Sequence, residues 1–190
     1  MRMLRIGIFV LIALAQLAVP ASVVWKRGRT LVYGRVWKFK TEPVDPIDAI
    51  RGRYVALRFA AETLQGSVHK PEQIAAESTV YVTLKEDAEG FAQVDQISAT
   101  PLKGDNVVKA VAWYSRDNAD HVRFSFDRLW VAEKIAPQAE QAYRENSRRG
   151  KENAFVTVRV RSGDAVLEQL YIDNQPLIDY LRARTAAQKK

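Results

Sequence analysis

The sequence contains no cysteine. Disulfides, thiolate metal sites and cysteine nucleophiles are therefore excluded, because each of them needs a thiol. Only two histidines are present, His69 and His121, and neither lies in a metal-binding pattern such as H-E-x-x-H. The chain also has no P-loop, no G-x-G-x-x-G motif and no serine in a G-x-S-x-G motif. The sequence thus predicts no catalytic, metal or cofactor site.

Acidic residues are missing from residues 1–40, which carry eight basic residues. The other 150 residues carry 21 basic and 22 acidic residues, so the net charge of +7 originates almost entirely in the first 40. A nucleic-acid-binding domain usually carries its positive charge on the folded body. This distribution argues against nucleic acid as a partner and favours contact with the headgroups of anionic membrane lipids.

A hydrophobic run occupies residues 6–25, and its only polar members are Gln16 and Ser22. A helix of this length spans about 30 Å, the thickness of the hydrocarbon core of a bilayer. The run ends in an aromatic residue of the kind that lies at membrane interfaces, and basic residues of the kind that lie at headgroup depth follow. This flank consists of Trp25, Lys26, Arg27 and Arg29. Residues 1–25 are predicted to form one uncleaved transmembrane anchor.

A cleaved signal peptide is the alternative for the same residues. Arg2 and Arg5 precede the hydrophobic run, and residues 19–21 end on small residues that a signal peptidase could accept. Hydrophobicity continues through Val23 and Val24, which favours retention. Orientation is a separate question, because the basic flank after the helix favours a cytoplasmic domain by the positive-inside rule.

The pattern after residue 26 predicts an α+β fold: a mostly antiparallel β domain with one substantial helix. Residues 26–178 are assigned to this domain, and residues 179–190 to a helix end and basic tail. Asp45 as N-cap, Pro46 at the first position, Asp48 and Gly52 predict a short helix over 45–51. The predicted strands are 30–40, 54–59, 80–85, 91–97, 107–114, 122–126, 155–161 and 165–172, and the further helices are 71–77, 133–150 and 176–185.

The block over residues 43–59 contains a distinctive set of residues: Pro43, Val44, Asp45, Pro46, Asp48, Arg51, Gly52, Tyr54, Val55, Leu57 and Phe59. With these residues the block resembles the bacterial family named for its GDYXXLXY motif. Similarity extends to Trp25, to Trp130 and to the closing segment 171–177. Two positions depart from the motif: Arg53 replaces its aspartate, and Phe59 replaces its final tyrosine.

The resemblance implies a single-pass protein of the bacterial inner membrane, with its domain on the extracytoplasmic side. It also implies a multi-pass membrane protein as partner, but it supplies no activity. The expected function is therefore that of a membrane-tethered, non-enzymatic interaction or accessory domain. The motif block and the basic strand after the anchor are expected to lie nearest the partner. The alternatives are an envelope hydrolase that uses Asp45, Asp48 or a histidine, and a module that binds lipid or cell wall.

Simpler structural roles compete for the residues with chemical potential. Asp45 and Asp48 are best explained as helix caps, and Tyr54 as an aromatic residue packed on a strand. Both histidines are expected in solvated loops. Arg144, Arg148 and Arg149 could meet an acidic partner or lipid, but a solvated helix face explains them equally simply.

Overall fold

The computed structural model describes residues 2–43, 54–64, 68, 74–114, 120–148 and 153–188. Several residues singled out in the sequence lie outside these ranges, together with the predicted helix over 45–51. They are Asp45, Pro46, Asp48, Arg51, Gly52, Arg53, His69 and Arg149.

The chain begins with one long helix, α1, which covers Arg2–Tyr33. Its segment Ile6–Tyr33 is long and apolar enough to cross a membrane: an 18-residue window within it has a mean hydropathy of 2.3, and no residue of that window is buried against the rest of the protein. The helix runs eight residues past the predicted end of the anchor. The strand predicted from residue 30 therefore begins only at Arg35, because the helical hydrogen bonds continue until the Gly34 amide donates to the Thr30 carbonyl.

Eleven strands and two further helices follow in the described residues. The strands are β1 (Arg35–Glu42), β2 (Tyr54–Ala56), β3 (Arg58–Phe59), β4 (Thr79–Glu86), β5 (Ala92–Ser98), β6 (Val107–Tyr114), β7 (Asp120–Phe124), β8 (Arg128–Trp130), β9 (Ala154–Arg161), β10 (Asp164–Ile172) and β11 (Gln175–Pro176). A 3₁₀ turn covers Ala60–Glu62, and the helices are α2 (Ala136–Asn146) and α3 (Leu177–Gln188).

The strands form three antiparallel sheets. One has the order β11-β10-β9-β1-β3, the second has the order β5-β4-β6-β7, and β2 pairs with β8 in a two-stranded ribbon. The predicted hairpins β4–β5 and β9–β10 are both present. The α+β class and the predominance of antiparallel pairing are thereby confirmed.

A cluster of four phenylalanines joins the two larger sheets. Phe39 from β1 lies 5.6 Å from Phe59 and 5.1 Å from Phe126, measured between ring centroids. Phe124 stacks on Phe126 at 4.9 Å. Phe59 occupies the last position of the motif and is 0% exposed. A tyrosine hydroxyl at this depth would need a hydrogen-bond partner, so the apolar ring suits the site.

Several predicted elements differ in detail. The predicted strand over 54–59 keeps its alternating burial but is divided at Leu57, whose amide donates to the Asp127 carbonyl; β2 therefore pairs with β8, and β3 with β1. Residues 74–77 form a turn instead of the end of a helix, and Glu77 has a positive φ of 61°. The helix predicted over 133–150 is shortened to α2, whose residues Ala139, Ala142 and Tyr143 are buried.

Candidate functional site

The junction between α1 and β1 is closely packed. Thr30 is 2% exposed, and its hydroxyl donates to the Lys26 carbonyl at 3.2 Å. A Cβ atom on Gly34 would overlap the Thr30 carbonyl oxygen and lie 3.1 Å from the Val160 carbonyl oxygen. The last turns of α1 also contact β9 and β10. The apolar helix and the sheet are therefore joined by a fixed turn without a linker.

The basic residues that follow the hydrophobic run lie on the exposed surface of α1. Lys26, Arg27 and Arg29 are all exposed, and the Arg29 guanidinium lies 5.4 Å from the centre of the Trp25 ring. Beyond the turn, Arg35 forms a 2.9 Å ion pair with Glu86. The positive charge predicted for this region is thus presented to solvent beside the apolar helix.

The described motif residues lie at the other end of β1. Thr41 and Glu42 pair with Phe59 and Arg58, six residues beyond Arg35, which corresponds to about 20 Å of strand. The start of β1 and the described motif residues therefore lie at opposite ends of this strand, and the expectation that both lie nearest a membrane partner stays a prediction. Long-range pairing, which the local pattern does not encode, places these residues apart.

Tyr54 packs in an aromatic group on the two-stranded ribbon. Its ring lies 5.3 Å from that of Trp130, and the Arg128 guanidinium lies 5.1 Å from its centre. Leu57 is 3% exposed and belongs to the hydrophobic core. These contacts agree with packing roles for Tyr54 and Leu57.

A polar cleft lies where the 3₁₀ turn meets β7, and sequence reasoning missed it. The cleft has a volume of about 210 Å³ and is lined by Glu42, Arg58, Phe59, Glu62, Thr63, Trp113, His121, Val122 and Arg123. A β-bridge between Thr63 and His121 closes one side. No sequence motif marks it, because its charged groups come from three separate segments of the chain: residue 42, residues 58–62 and residues 121–123.

Glu62 supplies the most unusual group in this cleft. Its Oε1 accepts the Phe124 amide at 3.2 Å, and its Oε2 accepts the Phe59 amide at 3.5 Å. Burial raises the pKa of Glu62 to about 7, and these hydrogen bonds, Arg58 and Arg123 only partly oppose the effect of burial. A carboxyl group with this pKa exchanges its proton near neutral pH.

His121 was expected in a solvated loop, but it is half-buried in β7. Its Nδ1 lies 3.4 Å from the Thr63 hydroxyl. Across β6 and β7, the Arg123 guanidinium lies 4.7 Å from the centre of the Trp113 ring. The bridge to Thr63 explains the burial of the imidazole, since pairing draws this strand end against the 3₁₀ turn.

Tyr143 of α2 fixes the strand that forms one wall of the cleft. Its hydroxyl donates to the Glu42 carbonyl at 2.8 Å and accepts the Arg58 amide at 3.4 Å. Burial raises the pKa of Tyr143 to about 12, so this hydroxyl stays protonated at neutral pH. Arg144, which could meet an acidic partner or lipid, forms an ion pair with Glu140 on the surface of α2.

No group of three or more histidine, aspartate or glutamate side chains able to hold a metal occurs within the described residues. The cleft combines a proton-exchanging carboxyl, two guanidinium groups and an imidazole. Such a set can bind an anion and transfer a proton. Because Asp45 and Asp48 lie outside the described residues, the hydrolase alternative that uses them stays a prediction.

These features define an α+β protein whose domain is joined directly to an apolar N-terminal helix. The family model of the GDYXXLXY protein matches residues 16–170. The chain belongs to this family, as the resemblance of its motif residues indicated. Among curated proteins and solved structures, no match to the chain was found.

Proposed function

We propose that the protein is a single-pass, membrane-tethered accessory subunit that binds a multi-pass membrane protein through α1. We further propose that it resides in a bacterial inner membrane, with the folded domain on the extracytoplasmic side. The family resemblance supports this location, whereas the basic flank by itself favours the opposite orientation. The domain acts by interaction, and no catalytic step is assigned to it.

Gln16 is the observation that carries this proposal. It is exposed at the middle of the hydrophobic run over residues 6–25, about 15 Å from either end. Within the described residues its amide forms no hydrogen bond, whereas the hydroxyl of Ser22 donates to the Val19 carbonyl at 2.7 Å. A polar amide in hydrocarbon is stabilised by a hydrogen bond to another helix. Gln16 therefore favours a partner within the membrane.

The packed junction supports the same function. A domain that only needs attachment can hang on a flexible linker, but here the helix enters the sheet within one residue of its end. A partner that holds α1 at a given rotation therefore also sets the orientation of the domain. This coupling suits a subunit that presents a surface in a fixed position.

Purification of the full-length protein in mild detergent after cross-linking tests the proposal. The Gln16→Leu variant should recover the multi-pass partner roughly threefold to thirtyfold less well, because one interhelical hydrogen bond is lost. Ser22→Ala is the matched control, because that hydroxyl is already bonded within its own helix.

Recovery of the protein without any membrane protein enriched over a tagged control would contradict the proposal. Equal recovery of the partner by wild type and Gln16→Leu would remove the assigned role of Gln16. Enrichment of a second copy of this chain alone would show self-association in place of an accessory role.

A further inference from the structure

The polar cleft that contains Glu62 has charged groups that play no part in the proposed membrane tethering. Two guanidinium groups, those of Arg58 and Arg123, face a half-buried carboxyl group across a space of about 210 Å³. Neither arginine forms an ion pair with an acidic side chain in the described part of the chain. Their N–H donors are therefore available to a ligand.

We propose that this cleft binds a small oxyanion, a carboxylate or a phosphate-like group, between Arg58 and Arg123, and that Glu62 takes up a proton when the anion binds. The ligand is a small molecule or the charged end of a larger one. This proposal is independent of the accessory role, since the cleft lies at the opposite end of β1 from the anchor.

The donor chemistry favours an anion over a cation. Guanidinium groups bind carboxylates and phosphates through paired, charge-assisted hydrogen bonds. Both oxygens of Glu62 already accept backbone amides, which leaves this carboxylate less able to bind a cation. The Arg123 guanidinium lies 4.7 Å from the centre of the Trp113 ring, and this contact restricts its side chain, which lowers the entropy lost on binding.

The volume of the cleft limits the size of the ligand. Most sites for drug-sized molecules are larger, about 300 Å³ or more. The cleft therefore suits a single carboxylate or tetrahedral oxyanion with a few additional atoms.

Proton uptake follows from the charges that face Glu62. Arg58 and Arg123 stabilise its ionised form, and a bound anion withdraws part of that stabilisation while adding a negative charge nearby. The other titratable groups facing the carboxyl are Glu42 on β1, His121 on β7 and Tyr143 on α2. Lys40 lines the adjoining pocket beyond the 3₁₀ turn. Protonation of Glu62 removes its negative charge and so relieves the repulsion between this carboxylate and the bound anion.

Titration of the full-length protein in detergent with sodium sulfate and with sodium acetate tests the proposal. These probes separate a phosphate-like ligand from a carboxylate, and neither titrates between about pH 6 and pH 8. The indole NMR signal of Trp113 reports binding, with sodium chloride at equal ionic strength as the reference. Calorimetry in buffers of different ionisation enthalpy counts the protons taken up.

Saturable binding of either probe is expected, about tenfold tighter at pH 6 than at pH 8, with uptake of roughly half a proton at pH 7. Arg58→Gln and Arg123→Gln should each weaken binding by at least about tenfold. Arg182→Gln, on the exposed surface of α3, is the matched control and should bind normally. Glu42→Gln should strengthen binding, because it removes a like charge from the rim.

Absence of saturable binding for both probes at pH 6 would overturn the anion site. So would unchanged affinity in both cleft arginine variants, each checked for folding by circular dichroism. Glu62→Gln should abolish the proton uptake, whereas His121→Asn should retain it. Equal uptake in wild type and Glu62→Gln would overturn the assignment of the proton to Glu62.

Discussion

Glu62 shows how a single residue can acquire properties that its neighbours in sequence do not suggest. The segment Ala60–Glu62 is short and mostly apolar, and nothing in it resembles a site. The carboxyl group becomes unusual because the surrounding segments, β7 among them, bury it, and the Phe124 amide that β7 supplies only partly opposes the effect of burial on its pKa. Burial then disfavours its ionised form, and this effect depends on residues some sixty positions away.

The raised pKa of Glu62 predicts a specific dependence of stability on pH. The folded state holds the proton up to about pH 7, whereas the ordinary value is 4.5, so the folded state binds more protons between these values. Stability therefore falls as the pH rises through this window. The decrease attributable to Glu62 between pH 5 and pH 8 should be about 2 kcal/mol.

Chemical denaturation of the full-length protein at several pH values measures this decrease. The Glu62→Gln variant should not show this decrease, so its free energy of unfolding should depend less on pH. Glutamine has a single carbonyl oxygen and therefore replaces only one of the two hydrogen-bond acceptors of the carboxylate. Glu89→Gln, at the exposed tip of the β4–β5 hairpin, is the control and should keep the wild-type profile. If Glu62→Gln kept the wild-type pH dependence of the free energy of unfolding, Glu62 would not be the group that causes it.

Among the secondary-structure elements, those with local partners were predicted most accurately. The hairpins β4–β5 and β9–β10 each join adjacent strands across a short turn, so alternation and turn residues suffice to define them. The strand over 54–59 was predicted as one element because its alternation is continuous. Its division at Leu57 depends on β8 and β1, which are remote in sequence.

Two glycines, Gly28 within α1 and Gly34 directly after it, give a matched prediction about the helix–sheet junction. Gly34→Ala should destabilise the full-length protein by about 1–3 kcal/mol, because the added methyl group overlaps the Thr30 carbonyl oxygen and crowds Val160. Gly28→Ala should leave stability unchanged or raise it by up to about 1 kcal/mol, since no atom lies within 4 Å of its added Cβ.

Thermal unfolding in detergent, combined with limited proteolysis around residues 26–35, compares the two variants. Gly34→Ala should lower the melting temperature and expose the junction to protease, and Gly28→Ala should do neither. Equal behaviour of the two variants would mean that the junction tolerates the rearrangement needed to accommodate a side chain at residue 34.

In the whole molecule, three parts follow one another along the chain: the apolar helix, the basic flank and the nearly neutral domain. We predict that α1 is retained in the mature protein and spans the membrane, because it continues unbroken past the small residues at 19–21 into a packed junction. An epitope tag at the N-terminus should remain on the protein, and alkaline carbonate should not extract it from membranes. Loss of the tag would indicate cleavage.

The side of the membrane occupied by the domain needs a separate measurement. A reporter fused after Lys190 that is active only outside the cytoplasm should be active, and a cytoplasm-specific reporter at the same position should be silent. The reverse result would place the domain in the cytoplasm, as the basic flank alone favours.

The sequence by itself determined the features that depend on local order along the chain. The apolar run of α1, the basic flank from Lys26 and the two hairpins are periodic or compositional patterns that need no distant partner. The motif block over residues 43–59, with the similar residues before and after it, likewise indicated the family.

Tertiary structure decided the features that depend on contacts between distant segments. It extended α1 to Tyr33, separated the described motif residues from the apolar helix, and brought Glu62, His121 and Arg123 into the lining of one cleft. Burial and the pairing of remote strands create these arrangements. A pattern read along the chain contains spacing and hydrophobicity, but it does not specify which strands meet or which carboxyl group loses its water.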